Sequence, residues 1–212
     1  MYTMEWAKDR IQMGAERRSA VIPEAEKRLT AYHEGGHAVV ALHTPGANPV
    51  HKATVMPRGQ ALGFILQLPE KDELSLSRRQ LQARLDVAMG GRVAEELIFG
   101  TEAVTTGASS DLSYATRLAQ DMVTRWGFSE DKVGLSRHQY DDREMSPDTK
   151  KIVEEETKAM LAAAYERAKK ILTEKGDELE LLAKAMIEKE TLTGAQINEL
   201  LEAHRKARGS TA

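Results

Sequence analysis

Cysteine is absent from the 212 residues, which excludes disulfides, thiolate nucleophiles and cysteine-built zinc knuckles. Any metal centre must therefore be made from histidine and carboxylate. A general excess of one charge is missing as well: 30 Lys and Arg against 33 Asp and Glu leave a formal charge of −3. Non-specific nucleic-acid binding needs a basic field, so no nucleic-acid partner is expected. No apolar run approaches the roughly 18 residues of a membrane span, and the start, Met1-Tyr-Thr-Met-Glu-Trp-Ala-Lys-Asp9, lacks the apolar core of a signal peptide. The chain is expected to be soluble by itself, as a fragment of a longer protein. What is present is enough hydrophobic residue, 41%, to bury a real core in one large or two small domains.

The strongest local signal is His33-Glu34-Gly35-Gly36-His37, inside the run from Thr30 to Leu42. Residues four apart lie on one face of a helix, so both imidazoles can reach one metal ion while Glu34 stands beside the open coordination position. This is the H-E-x-x-H arrangement of zinc hydrolases. Gly35 and Gly36 each cost roughly 1 kcal/mol relative to Ala in a helix interior. A packing neighbour or a substrate is expected to lie close against that face.

Around this motif the sequence predicts a mainly α protein. Residues 1–29, with Arg17-Arg18, Glu24-Ala-Glu-Lys-Arg28 and the helix breaker Pro23, are charged and irregular and are expected to form a linker or arm. Thr30 is the expected cap of the motif helix, which Thr44-Pro45-Gly46 ends. Lys52–Met56 and Ala61–Leu68, separated by Pro57-Arg-Gly-Gln60, read as a small β-hairpin or sheet at about 50–69. If the second strand lies at an edge it can hold an extended peptide; otherwise it is an ordinary core strand. A helix is expected from Ser77 to about Phe99, with Gly100 as its stop. Glu95 and Glu96 near its end read as solvated carboxylates, or as a metal ligand, or as a partner that orients a liganding histidine. A polar loop, Thr105 to Ser113, leads into a helix capped by Ser110 or Asp111, with Leu112, Ala115, Ala119, Met122 and Trp126 on one face. Residues 128–145 are loop-like. Ser146 and Pro147 open a long helix, broken at Gly176. Helices at about 178–189 and 195–207 then complete a C-terminal helical bundle over 146–208.

Two histidines and a base need a third protein ligand. His43 has the spacing of H-E-x-x-H-x-x-G-x-x-H, but the turning Gly of that pattern is here Val40. On a continued helix His43 lies about 240° around the axis from His37, so it is set aside as incidental, with His51, His138 and His204. Glu95, Glu96 and Asp111 remain, and spacing does not choose among them.

Ala31-Tyr-His-Glu-Gly-Gly-His-Ala38, Met56-Pro-Arg-Gly59, Gly90-Gly-Arg-Val-Ala-Glu-Glu-Leu-Ile-Phe-Gly100 and Thr105-Thr-Gly-Ala-Ser-Ser-Asp111 closely resemble, in this order, the protease domain of the FtsH family of membrane-bound, ATP-dependent zinc proteases. The likeness continues through Met122-Val-Thr-Arg-Trp-Gly-Phe-Ser129 and is closest to the mitochondrial i-AAA branch and its plant relatives. Met13-Gly-Ala-Glu-Arg-Arg-Ser19 resembles the family's link from ATPase to protease. The resemblance implies one Zn²⁺ held by His33, His37 and Asp111, Glu34 as catalytic base, and an edge strand around Gly63, Phe64, Ile65 and Leu66 that pairs with substrate. It divides the chain into an arm, 1–29, and a protease domain, 30–212, whose catalytic part is 30–145. It implies unfolded or membrane-protein polypeptides as substrates, quality control as the role, and a hexamer. The location it implies is an inner membrane, mitochondrial first, chloroplast or bacterial as alternatives. No G-x-x-x-x-G-K-[ST] loop occurs, so ATP is expected to act only through an ATPase outside these residues. Two rival readings are a non-catalytic helical assembly module with a structural H-E-x-x-H and a zinc hydrolase acting on something other than peptides.

Overall fold

The structure is a computed structural model that describes residues 10, 11, 14, 16, 21–58, 61–69, 71–138 and 145–209. Arg17, Arg18, the turn residues Gly59 and Gln60, and 139–144 of the expected loop lie outside them. The fold is mainly α, with one small antiparallel sheet.

Helix α1 (Glu24–His43) is the central element and is buried from Thr30 to Ala41. It begins at Glu24 rather than after Thr30, so the last residues of the expected arm are helical. Pro23, φ −57° and ψ 145°, precedes the first turn instead of breaking the helix, and Glu24 and Glu26 meet the positive end of the helix dipole. Thr30 caps nothing; it is buried in the helix interior. A helix buried all round is normally apolar. Here Val39, Val40 and Ala41 share the interior with His33, Glu34 and His37, which marks the polar trio as purposeful.

Strand β1 (Val50–Thr54) pairs with β2 (Phe64–Gln67) on one side and with β3 (Thr191–Thr193) on the other, both antiparallel. Lys52 thus faces Leu66 and Thr193. β1 is as long as the expected Lys52–Met56 but begins two residues earlier, β2 is shorter than the expected Ala61–Leu68, and β3 is unanticipated because Thr191-Leu-Thr193 is too short to display a two-residue period. Glu190, with φ 61°, turns the chain into β3, and its carbonyl accepts the Val55 amide at 2.9 Å. On the other side of β2 no strand is paired among the described residues, so β2 is an edge.

Helix α2 (Arg78–Phe99) starts with a reciprocal cap: Ser77 accepts from the Gln80 amide and the Gln80 side chain accepts from the Ser77 amide. It crosses α1 with backbone against backbone. A Cβ on Gly36 would lie 2.4 Å from the Gly90 carbonyl oxygen, and one on Gly90 would lie 2.9 Å from His37 Cα. Gly35 meets Leu179 and Met186, so the paired glycines of the motif serve packing on both neighbours.

Two single-turn 3₁₀ segments, Thr101–Ala103 and Thr106–Ala108, lead into α3 (Ser109–Thr124). Asp111 sits in the first turn of α3 and is not its cap. Ala115, Ala119 and Met122 face the core with Leu118 and Val123, but Leu112 and Trp126 are 39% and 44% exposed, contrary to the expected stripe. Helix α4 (Pro147–Glu174) opens on Ser146, whose hydroxyl accepts the Thr149 amide at 3.2 Å. Helix α5 (Gly176–Lys189) follows directly, the junction being Lys175, with Gly176 inside the new helix rather than between the two. Helix α6 (Gly194–Gly209) closes the chain. Arg167 grips the buried Asp86 through both of its oxygens, fastening α4 to α2. Glu178 accepts from Arg205 and pairs with His43 at 2.7 Å, joining α5 to α6 and to the end of α1. His43 is thus a packing residue far removed in role from the site below.

Candidate metal centre and its cleft

His33 and His37 present their rings from one face of α1, with centroids 4.8 Å apart. The proximal nitrogens are both committed. His37 Nδ1 lies 2.6 Å from the Val87 carbonyl oxygen, which can only accept, so that nitrogen carries the proton. His33 Nδ1 lies 2.7 Å from Glu95 Oε1. Burial alone would raise the Glu95 carboxyl, but the hydrogen bonds from His33 and from the Thr105 amide outweigh it and hold its pKa below the ordinary 4.5. Glu95 is therefore an acceptor, and both Nε2 atoms are left with free lone pairs directed inward.

The third group is Asp111. Its Oδ2 lies 3.3 Å from His33 Nε2 and 3.4 Å from His37 Nε2, and the two Nε2 atoms are 3.1 Å apart. Ligands about 2.0–2.1 Å from a tetrahedral ion are about 3.3 Å from one another. Two lone pairs and a carboxylate at these separations fit a divalent cation by chemistry and by spacing, and among the described residues this is the one His/Asp/Glu group of its kind. Burial disfavours the charged His33 ring, yet hydrogen bonds to Asp111 and Glu95 raise its pKa from 6.5 to about 10. Burial likewise opposes the Asp111 carboxylate, but hydrogen bonds from His33 and His37 hold it well below the usual carboxylate range.

Glu34 follows His33 on α1 and is buried. Desolvation raises its pKa above 4.5, against the pull of His37 and His33. A carboxyl of raised pKa beside a metal site is suited to accepting and releasing a proton.

One stripe of α2 underlies the whole constellation. Val87, Gly91 and Glu95 are successive i, i+4 positions, and they provide in turn the carbonyl for His37, the gap beneath the rings and the carboxylate for His33. A Cβ on Gly91 would lie 2.4 Å from His33 Nε2 and 2.6 Å from His37 Nε2. Thr105 completes the support, its amide and hydroxyl donating to Glu95 Oε2 at 2.7 and 3.0 Å. Sequence reasoning gave Val87, Gly91 and Thr105 no part in the site; counting back four residues at a time from Glu95 is the signal that finds the first two of them. Glu95 is not the solvated carboxylate of the default reading but fully buried. Glu96, its expected equal, points elsewhere, accepting from Tyr165 at 2.6 Å and pairing with Lys169 at 3.2 Å. Adjacent helical residues are about 100° apart around the axis, so only one of the pair can face the histidines.

A cleft of about 860 Å³ opens over these residues. Its floor includes His33, Glu34, His37 and Asp111, and β2 with the residues before it forms a wall. Gly63, Phe64 and Ile65 of the expected peptide-binding segment line it, together with Gln67. Leu66 is not among its lining residues. Gly63 is held tight, a Cβ there falling 2.6 Å from Thr30 Cγ2 and 2.7 Å from the Thr54 carbonyl oxygen.

Residues 20–200 match peptidase family M41. The chain is 49% identical over 213 residues to the ATP-dependent zinc metalloprotease FtsH of Caulobacter vibrioides, covering 95% of this chain and 34% of that protein. It is 54% identical over 198 residues to the ATP-dependent zinc metalloprotease FTSH 11, chloroplastic/mitochondrial, of Arabidopsis thaliana, covering 93% and 24%. With the ATP-dependent zinc metalloprotease YME1L1 of Mus musculus the identity is 49% over 202 residues, covering 95% and 28%. The chain therefore spans about a third or less of the length of these relatives. With a match that runs through nearly all of its helices, and a buried His-Glu-x-x-His helix at the floor of its cleft, the chain belongs to peptidase family M41.

Proposed function

We propose that this chain is the zinc-dependent endopeptidase part of an ATP-dependent protease and that it hydrolyses peptide bonds of unfolded polypeptides. The observation that carries the reading is the convergence of His33 Nε2, His37 Nε2 and Asp111 Oδ2 within 3.1–3.4 Å, beside Glu34, in a cleft walled by an edge strand. Zn²⁺, when held by those three atoms, lowers the pKa of a water towards about 7 and polarises a carbonyl oxygen. Glu34 takes a proton from the attacking water as the new C–O bond forms and delivers it to the amide nitrogen as the C–N bond breaks, which regenerates its carboxylate. Glu95, through His33, and the Val87 carbonyl, through His37, fix the tautomers that expose both lone pairs. The free edge of β2 offers backbone N–H and C=O groups to an extended peptide, a mode that reads main chain more than side chains and gives low sequence specificity.

The rest of the assembly belongs to the same proposal. The relatives are named ATP-dependent, and no phosphate-binding G-x-x-x-x-G-K-[ST] occurs in this sequence, so we assign ATP use and substrate unfolding to an AAA module outside these residues, joined through the segment before α1, in a hexameric ring. Among the described residues no helix is long and apolar enough to cross a membrane, and we assign the anchor to the same outside part. An organellar inner membrane suits the likeness to the Arabidopsis protein, and a bacterial inner membrane suits the likeness to FtsH. A non-catalytic assembly module would have no use for a buried carboxyl of raised pKa beside two oriented imidazoles.

The test is Glu34→Gln in the zinc-loaded protein. It should retain fold and zinc and lose about 10²–10⁴-fold in cleavage of an unfolded protein such as casein. Full residual proteolysis overturns the mechanism, and zinc content unchanged in Asp111→Ala overturns the ligand set.

A further inference from the structure

The wall of the cleft is fastened to the rest of the chain at an unusual place. Arg58 precedes the turn that leads to β2, and it is 7% exposed, one of few buried cations. Its backbone exchanges two hydrogen bonds with Ala61, at 2.9 and 3.0 Å, closing that turn. Its guanidinium donates through Nη1 to the Gly14 carbonyl oxygen at 3.1 Å and through Nη2 to Glu16 Oε1 at 2.6 Å, and it lies 5.9 Å from the ring centroid of Phe64, the first residue of β2. Residues 16 and 58 also form a backbone β-bridge. Ala61 and Phe64 both line the cleft.

This is a costly way to hold a turn. A buried guanidinium must recover its hydration from protein partners, and here Nε has none among the described residues. An apolar residue packed on Phe64 would hold the turn more cheaply. What it would not do is reach across to residues 14 and 16 with a planar fork, which is the property that separates Arg from Lys and from any hydrophobe.

We propose that Arg58 is a positioning residue which fixes the start of β2, and so the peptide-binding wall of the cleft, against Gly14 and Glu16, which precede α1 in the chain. The placement of those two residues then sets the placement of the edge strand, and a displacement of one is passed to the other through Arg58, by its guanidinium and by its backbone bridge to Glu16. The inference rests on the reading of β2 as the peptide-binding edge. It requires no contact between Arg58 and substrate.

The experiment uses the zinc-loaded chain with Arg58→Gln, Arg58→Lys and the charge exchange Arg58→Glu with Glu16→Arg. Steady-state cleavage of an unfolded protein and amide hydrogen exchange are followed in parallel. Arg58→Gln should raise KM about tenfold with kcat and zinc content little changed. Its amides over 61–67 should exchange at least about tenfold faster while those of α1 and α2 keep their rates. The charge exchange should recover part of both losses, and Arg58→Lys, which lacks the fork, should recover less than wild type. Parental KM and parental exchange over 61–67 in Arg58→Gln overturn the proposal, as does acceleration spread evenly over α1, α2 and the sheet, which is the mark of a purely structural role. If the parent protein cleaves nothing, the function proposed above fails, and the exchange of 61–67 still decides the role of Arg58.

Discussion

Gly91→Ala puts the site's dependence on bare backbone to a direct test. An ideal Cβ at this position lies 2.4 Å from His33 Nε2, 2.5 Å from His33 Cε1 and 2.6 Å from His37 Nε2, whereas ordinary contact begins at 3.4 Å. The rings would have to move by about 1 Å, several times the roughly 0.2 Å that zinc–ligand distances tolerate. They are not free to do so, because their other nitrogens are held at 2.7 and 2.6 Å by Glu95 and the Val87 carbonyl, on the same helix that carries the new methyl. Disturbing a residue that only orients a ligand costs 10–100-fold in metal affinity, and here both ligating nitrogens are displaced, so a loss of at least about 100-fold is expected. Helix propensity acts in the opposite direction, Ala being favoured over Gly by about 1 kcal/mol in a helix interior, so the metal-free fold should survive. Zinc per chain after competition with a chelator, read beside the thermal unfolding of the metal-free protein, separates the two effects. Gly35→Ala is the control, since the nearest atoms to its Cβ are the flexible ends of Leu179 and Met186 at 3.1 and 3.4 Å, and the Ala183 backbone nitrogen at 3.9 Å is at ordinary contact distance. A Gly91→Ala protein that keeps one zinc per chain with parental competition would refute the reasoning.

Two further predictions concern the surroundings of the rings. Glu95→Gln should weaken zinc binding by about 10–100-fold, because an amide has one accepting oxygen where the carboxylate offers two, to His33 Nδ1–H and to the Thr105 amide and hydroxyl, and carries no charge to hold the His33 tautomer; Glu96→Gln, whose carboxylate bonds Tyr165 and Lys169 instead, should leave zinc binding unchanged. Equal effects of the two substitutions in chelator competition would reject the distinction. For pH, the metal-free His33 has a pKa of about 10, above its ordinary 6.5, so it is protonated at pH 7 and zinc must displace that proton. About one proton per ion should be released, measurable by calorimetry in buffers of different ionisation enthalpy, and affinity should fall about tenfold per pH unit on acidification from pH 10. The sign for stability is the reverse: the protonated His33 stabilises the metal-free fold fully below pH 6.5, and that contribution is lost as pH rises towards 10. A metal-free melting temperature flat over this range would contradict the assignment.

The parts of the site that are local in sequence are legible there. His33 and His37 share a face because they are four residues apart on one helix, and no tertiary information is needed. Asp111 is different: a carboxylate in the first turn of a helix has a sufficient local explanation in the dipole, and only the approach of α3 to α1 brings it to the histidines. Glu95 and Glu96 are chemically alike, and which one turns inward depends on how α2 rolls against α1, which the Gly36 and Gly90 contact settles in space. The same holds for the apolar stripe of α3, where Leu112 and Trp126 satisfy the period yet emerge at the ends beyond the reach of the core. Strand β3 escapes notice because its partner, β1, is remote in sequence and its own three residues carry no pattern. Pro23 misleads in the opposite sense, since the residue that forbids a helix interior is also well suited to stand just before one.

The pairing of Lys52 with Thr193 has a consequence for the order in which the molecule comes into being. The histidines and the strand that walls the cleft are made before β3, and β1 acquires its second neighbour only when the ribosome has delivered Thr191–Thr193. Until then the sheet is a lone hairpin, a unit that is marginal in water. A nascent chain therefore carries its ligating side chains before it carries the finished three-stranded sheet.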